Sequence, residues 1–265
     1  MKNDFQIMGI LNFTPDSFSD GNKFFKVEDA LTHAEKLLSD GADIIDLGVE
    51  STRPAAQKLS VEEELMRLKQ ILPALRKEFP QAKISIDTYK AKTAEYVIAE
   101  GIDIVNDISG MSEDMLEVIS QNKNVKYVLT HNTSAIIEGD FWNQVLDFFE
   151  KKISKLCKVG VSKNNLILDL GFGFHKTVEQ NLILQNRGTE LRKLGITILA
   201  GVSRKSTLQK IVGTDIDDLD NATIAFSLHS LFAGSADIFR VHNVKKLRQA
   251  FDSIESIKKE KIWTK

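Results

Sequence analysis

KISIDTYKAKTAEYVIAEGIDIVND, residues 83–107, holds in one short stretch the unit from which the chain is built. Lys83–Ile86 alternates apolar and polar residues as a strand does, and Ala91–Glu100 spaces its apolar residues three and four apart as a helix does. Ile102–Val105 is a second β-rich run. Strand, helix and strand in succession are the mark of a parallel pair joined by a crossover helix. The same alternation recurs on both sides, with further strand-like runs at Gln6–Leu11, Asp43–Leu47, Lys126–Leu129, Leu166–Leu168, Thr197–Ala200 and Ile238–Val241. Helical periodicity marks Val27–Ser39, Val61–Glu78 and Gln144–Val159 between them. Eight strand units predict an α/β fold closed into a TIM-type (β/α)8 barrel, with residues 1–265 forming one domain. An open doubly wound sheet is the alternative. It is disfavoured because no G-x-G-x-x-G follows an early strand and the even spacing has no switch point.

Composition narrows the class further. Hydrophobic residues make up 42%, charged residues 27%, and there are 4 Pro, which excludes disorder and a Pro-rich linker. A net charge of -2 lacks the positive field that a general nucleic-acid or anionic-membrane binder needs. The opening MKNDFQIMGILNFTPD is not built like a signal peptide, and no apolar run is long enough to span a bilayer. Cys157 is the single cysteine, has no His or Cys nearby in sequence, and reads as a tolerated thiol rather than a nucleophile. A cytoplasmic protein is the expectation.

Polar residues cluster where strands hand over to loops: Asn12, Asp46, Asp87, Asn106, His131, Asp169, Ser203 and His242. In a barrel those ends converge on the face that carries chemistry. Any one of them has an ordinary explanation, since Asp and Asn end strands and cap helices. Capping, however, does not call for Arg53, Lys205, Arg240 and His242 on the same face. The loops NFTPDSFSDGNKF and ESTRPAA follow the first two strands and have the composition of loops that close over a substrate. GVSRKS, after the seventh strand, sets a hydroxyl, a guanidinium and an ammonium ahead of a helix, a combination suited to an anion or an electron-rich ring. In FRVH, strand alternation points Arg240 and His242 to one side.

GILNFTPDSFSDG, GADIIDLGVESTRP, SIDTYK, NDISG, ILDLGFGF, GVSRKS and RVH, in this order between about Met8 and His242, resemble the dihydropteroate synthase family. The resemblance implies a β/α-barrel transferase of folate biosynthesis, usually a homodimer, inhibited by sulfonamides. It joins para-aminobenzoate to dihydropterin pyrophosphate and releases pyrophosphate with Mg2+. It further implies that Asp87, Asn106, Asp169 and Lys205 hold the pterin, and that Asn12 serves the magnesium. Arg240 and His242, with Arg53 as a further candidate, match the leaving-group residues, and Thr52, Pro54, Phe174 and Ser206 match positions around the aminobenzoate. Asp87, Lys205, Arg240 and His242 are the catalytic set. The implied reaction breaks the carbon–oxygen bond at the pterin methylene, with no covalent enzyme intermediate.

Four positions depart from the family's pattern. Asn132 stands where an apolar residue usually packs on the pterin, Val49 and His175 replace glycines, and Leu170 replaces a proline. None removes a residue assigned above. Two other readings follow: a non-catalytic or altered-specificity pterin-binding paralogue, and a corrinoid methyltransferase on a related barrel. The methyltransferase needs no diphosphate pocket, so the first loop and the Arg240/His242 pair count against it.

Overall fold

The computed structural model describes residues 5–14, 26–50, 58–133 and 139–258. Its strands are β1 (Gln6–Asn12), β2 (Ile44–Gly48), β3 (Lys83–Asp87), β4 (Ile104–Asp107), β5 (Lys126–Thr130), β6 (Leu166–Asp169), β7 (Thr197–Ala200) and β8 (Ile238–Val241). They pair in sequence order, all parallel, and β8 pairs back onto β1 to close the barrel. The helices are α1 (Val27–Ser39), α2 (Val61–Glu78), α3 (Ala91–Ala99), α4 (Glu113–Gln121), α5 (Phe141–Lys158), α6 (Val178–Arg187), α7 (Ser206–Val212), α8 (Ile216–Ala233) and α9 (Val244–Lys258).

Local chemistry sets the boundaries. Ser60 begins α2 and Thr177 begins α6 with reciprocal capping boxes. Asp140 caps α5 by accepting from the Asn143 amide, so that helix starts at Phe141, three residues ahead of the apolar pattern that marks it. Ile102, expected in β4, instead donates its amide to the Val97 carbonyl at the end of α3, past Gly101 at φ +78°. β4 therefore begins at Ile104.

Strand alternation divides the side chains between two environments. Ile7, Leu11, Ile45, Leu47, Ile84, Ile86, Tyr127, Leu129, Phe239 and Val241 face outward into the large core shared with the helices. Met8, Ile44, Ile104, Val128, Ile167, Leu199 and Ile238 form a separate apolar layer inside the barrel. Two residues further along the same strands, on the same side, stand Ile10, Asp46, Asn106, Thr130, Asp169, Gly201 and Arg240. Ser85 on β3, beside Ile104, is the polar exception in the lower layer, and the interior changes from mostly apolar to mostly polar in one step towards the carboxyl ends. That step positions the site, because the apolar layer seals the barrel beneath it.

Ile104 is buried in that sealing layer. Ile104→Ala is expected to lower unfolding free energy by about 2–5 kcal/mol, measured by urea denaturation. A change below about 0.5 kcal/mol would contradict the sealed-layer description.

Candidate functional site

Arg240 reaches across the barrel from β8. Its Nε donates to Asp46 Oδ2 on β2 at 2.6 Å, and its Nη2 to Asp87 Oδ2 on β3 at 2.8 Å. Asp46 Oδ2 also accepts from Asn106 Nδ2 on β4 at 3.1 Å, so one fully buried carboxylate aligns a cation and a carboxamide. The remaining oxygens face the interior without hydrogen-bond partners: Asp46 Oδ1, Asn106 Oδ1, Ser85 Oγ and Thr130 Oγ1. An unmatched buried polar atom costs about 1–3 kcal/mol, and these four, enclosed beneath the mouth on the adjacent strands β2 to β5, make this part of the interior polar.

On the opposite side, Asp169 accepts the Gly171 amide on Oδ1 at 2.8 Å. A Cβ on Gly201 would lie 3.4 Å from Asp169 Oδ2 and 3.8 Å from Lys205 Nζ, which places this carboxylate and ammonium beside one glycine. Lys205 ends the β7 loop as the N-cap residue of α7, donates to the Phe172 carbonyl, and holds its ammonium 4.4 Å from the centre of the Phe174 ring. Asn12 stands at the exposed end of β1, beside Gly48. A Cβ there would lie 3.7 Å from both Asn12 Oδ1 and Asp87 Cβ, so these two residues flank one glycine. His242 follows β8, its Nδ1 2.9 Å from Ser203 Oγ.

Burial governs the charges. It pushes the Asp87 carboxyl up to about 7, with Asp46 adding to the rise while Arg240 and Lys205 oppose it. It pulls the Lys205 ammonium down to about 8, against support from Asp169. It also works against the Arg240 charge, but Asp46 and Asp87 outweigh it and hold the guanidinium above its ordinary value.

The sequence-derived residues therefore divide. Asp87, Asn106, Asp169, Lys205 and Arg240 line one mouth, with Asn12 and His242 on its wall and Phe174 beside Lys205. Ser206 is exposed at the first turn of α7. Thr52, Arg53 and Pro54, and residues 15–25 of the first loop, lie outside the described residues.

Two strand-end or loop residues expected at the mouth are elsewhere. His131 falls on the outward side, one position after inward Thr130. Its ring packs edge-on to Phe148 at 4.8 Å, and burial pulls its pKa down to about 3. Arg204 of GVSRKS, at φ +56°, turns back to pair with Asp220 on α8 at 2.8 Å, leaving Lys205 alone to face inward. Two polar residues of the interior were missed, Ser85 and Thr130, which belong to it by alternation alone. Asp46 was noted as a strand end, but not as the partner of both Arg240 and Asn106.

The departures are accommodated locally. Asn132 donates to the Ile108 carbonyl at 2.7 Å, Val49 is buried, and Leu170 packs against the core. His175 adopts φ +46°, a left-handed conformation that glycine takes without strain. A hollow of about 390 Å³ lies at the other end of the barrel, lined by Ile44, Ile104, Ile167 and Ile238 with Lys83 and Lys126. It has no convergent set of unmatched polar atoms, so chemistry selects the carboxyl face.

Residues 8–242 match the family model described as "Pterin binding enzyme". Dihydropteroate synthase of Clostridium beijerinckii is 40% identical over 239 residues, covering 90% of this chain and 88% of its own. Dihydropteroate synthase from Clostridium difficile, solved in the presence of pteroic acid, superposes with a TM-score of 0.89 at 39% identity over 96% of each chain. The Yersinia pestis dihydropteroate synthase in complex with a sulfonamide drug superposes at 0.87 with 33% identity, covering 96% of this chain and 94% of that one.

The electrostatics predict a carboxyl that titrates near neutrality. In NMR of carboxyl-labelled protein, the Asp87 midpoint is expected well above the usual carboxylate range and higher still in Arg240→Gln, because the guanidinium lowers it. A midpoint near the free value of about 4 in the unaltered protein would refute this account of the mouth.

Proposed function

The chain belongs to the dihydropteroate synthase family of pterin-binding enzymes, transferases of folate biosynthesis, and on that footing we propose how its barrel mouth performs the reaction. The enzyme condenses 6-hydroxymethyl-7,8-dihydropterin pyrophosphate with para-aminobenzoate, yielding 7,8-dihydropteroate and pyrophosphate. The observation that carries the assignment of roles is the convergence of Asp87 and Asn106, tied together through Arg240 and Asp46, with Asp169 and Lys205 at the carboxyl ends of the strands. A pterin edge supplies the N–H groups that the Asp87 and Asp169 carboxylates accept beside Asn106, and Lys205 donates to a ring acceptor.

The diphosphate lies towards Arg240, His242 and Asn12, with Arg53 a further contact from outside the described residues. Arg240 is already neutralised in part by two carboxylates, so it is oriented by them and offers its remaining N–H donors upward. Among the described residues, no three His, Cys, Asp or Glu side chains gather to hold a metal. Asn12 brings one carboxamide oxygen, and that sparse donor set fits Mg2+ carried in by diphosphate oxygens. Bound there, the ion would supply charge neutralisation for the departing group.

The carbon–oxygen bond at the pterin methylene breaks as the diphosphate leaves, and the electron-rich ring shares the positive charge left on that carbon. Arg240 and His242 stabilise the growing negative charge, and Asp87 and Asp169 keep the ring oriented in a field that favours cationic character. The aminobenzoate nitrogen then forms the new bond to that carbon and gives up one proton to solvent water. Its ring lies along Phe174, and Ser206 with the adjoining backbone amides faces its carboxylate. Thr52 and Pro54 complete this rim from outside the described residues. Sulfonamides would compete there.

The chain pairs as a homodimer in this reading. Supporting it are Ile211 and Val212 on α7 and Ile216 and Phe232 on α8, large apolar side chains exposed on neighbouring elements. We read residues 1–265 as one domain working in the cytoplasm. No helix of the described residues is long and apolar enough to cross a membrane, and Cys157 is exposed and free.

Purified protein supplied with Mg2+, para-aminobenzoate and dihydropterin pyrophosphate is expected to form dihydropteroate and pyrophosphate, with Arg240→Ala and Lys205→Ala each lowering kcat/KM by about 100-fold or more. Pterin binding without product at high enzyme concentration would favour the non-catalytic paralogue, and full activity in both variants would remove the assigned contacts. Phe232→Asp is expected to shift the species seen in analytical ultracentrifugation from dimer to monomer, and an unaltered protein that sediments as a monomer would refute the pairing.

A further inference from the structure

Lys176 lies outside the roles assigned above, yet it is the most enclosed cation of the loop between β6 and α6. Its ammonium donates to three backbone carbonyls: His131 at 2.9 Å, Gly171 at 2.8 Å and Phe174 at 3.1 Å. An ammonium has three N–H donors, so all are used. His131 belongs to the end of β5, and its amide in turn takes the Asp169 carbonyl at 2.8 Å. The ammonium therefore ties the loop to two strands of the barrel.

The loop is shaped around this contact. Gly171 has φ +67°, and a Cβ there would lie 2.0 Å from the His131 carbonyl oxygen, so no other residue fits without displacing the strand. The Asn181 side chain holds the Gly173 amide at 2.7 Å. Lys205 takes the intervening Phe172 carbonyl, so three carbonyls of one short loop, those of residues 171, 172 and 174, turn inward onto two lysines. Asp169 interacts with both ammonium groups, which repel one another. Burial pulls the Lys176 pKa down to about 7, as expected of a cation held chiefly by neutral carbonyls.

We propose that Lys176 is a positioning residue for the aminobenzoate. By holding the Phe174 carbonyl and closing the loop onto β5, it determines where the Phe174 ring stands against the Lys205 ammonium. The inference rests on the assignment of Phe174 to the aminobenzoate rim. It differs from a purely structural role because Lys176 makes its bonds on the rim side of the mouth, whereas the pterin floor of Asp46, Asp87 and Asn106 is held separately by Arg240.

Lys176→Met retains the apolar stem and removes the donors, and Lys176→Gln retains two N–H groups. With the full-length enzyme, steady-state kinetics for Lys176→Met should show KM for para-aminobenzoate raised about tenfold or more, with KM for dihydropterin pyrophosphate within about twofold, and Lys176→Gln between it and the parent. Phe174→Ala should raise the same constant. Equal change in both KM values, or a loss of thermal stability with neither KM altered, overturns the positioning role. An unchanged aminobenzoate KM in Phe174→Ala instead overturns the rim assignment, and the inference with it. If Lys176→Met does not fold, Lys176→Gln and calorimetric binding of a sulfonamide decide: affinity equal to that of the parent overturns the proposal, and selective weakening supports it.

Discussion

The mouth of this barrel depends on one guanidinium shared between two buried carboxylates. Arg240 crosses from β8 to Asp46 and Asp87 on strands to which β8 is not paired, so the contact braces the barrel internally where backbone hydrogen bonds cannot. Removing one member of such a buried set costs about 3–5 kcal/mol, because the partners are left charged and unmatched. The arrangement also sets the chemistry. Asp46 fixes Asn106 as well as Arg240, and its charge helps to raise Asp87. Around this brace, Asp87 stands at the mouth while Asp46 is wholly buried beneath it.

The two halves of the site are held by different means. The proposed pterin floor is made, Lys205 apart, of strand side chains whose direction follows from register. The proposed aminobenzoate rim draws, among the described residues, on the loop between β6 and α6, where two ammonium groups gather backbone carbonyls. A glycine with a positive φ at residue 171, and His175 forced into a similar conformation, show how tightly that loop is drawn in. The departures at Leu170 and His175 fall in or beside this loop, whereas Asn132 follows β5 and donates to the Ile108 carbonyl.

The strand sequence order and most of the floor were legible because both follow from short-range rules. Alternating strands and three-to-four helical spacing located eight strand units within two residues at either end, and the ends marked Asp87, Asn106, Asp169 and Arg240. The errors came where one residue's shift reverses a side chain. His131 and Thr130 are neighbours, and only the register of β5 tells which of them enters the barrel. Arg204 and Lys205 are neighbours too, and the left-handed turn at Arg204 sends one to Asp220 and the other to the mouth. Asp46 was visible as a strand end, but its partners are distant in sequence, with Arg240 194 positions away. Lys176 could not be recognised from composition, because its partners are main-chain carbonyls that leave no trace in the residue types.

The central claim is that the polar layer above the sealed interior is a pterin floor braced by Arg240. A crystal structure of the protein with pteroic acid tests it most directly. The account predicts the ring edge within hydrogen-bonding distance of Asp87, Asn106 and Asp169, with Arg240 still held by Asp46. A ligand seated in the amino-end hollow beside Lys83 and Lys126, or a ring that leaves those three side chains uncontacted, would contradict it.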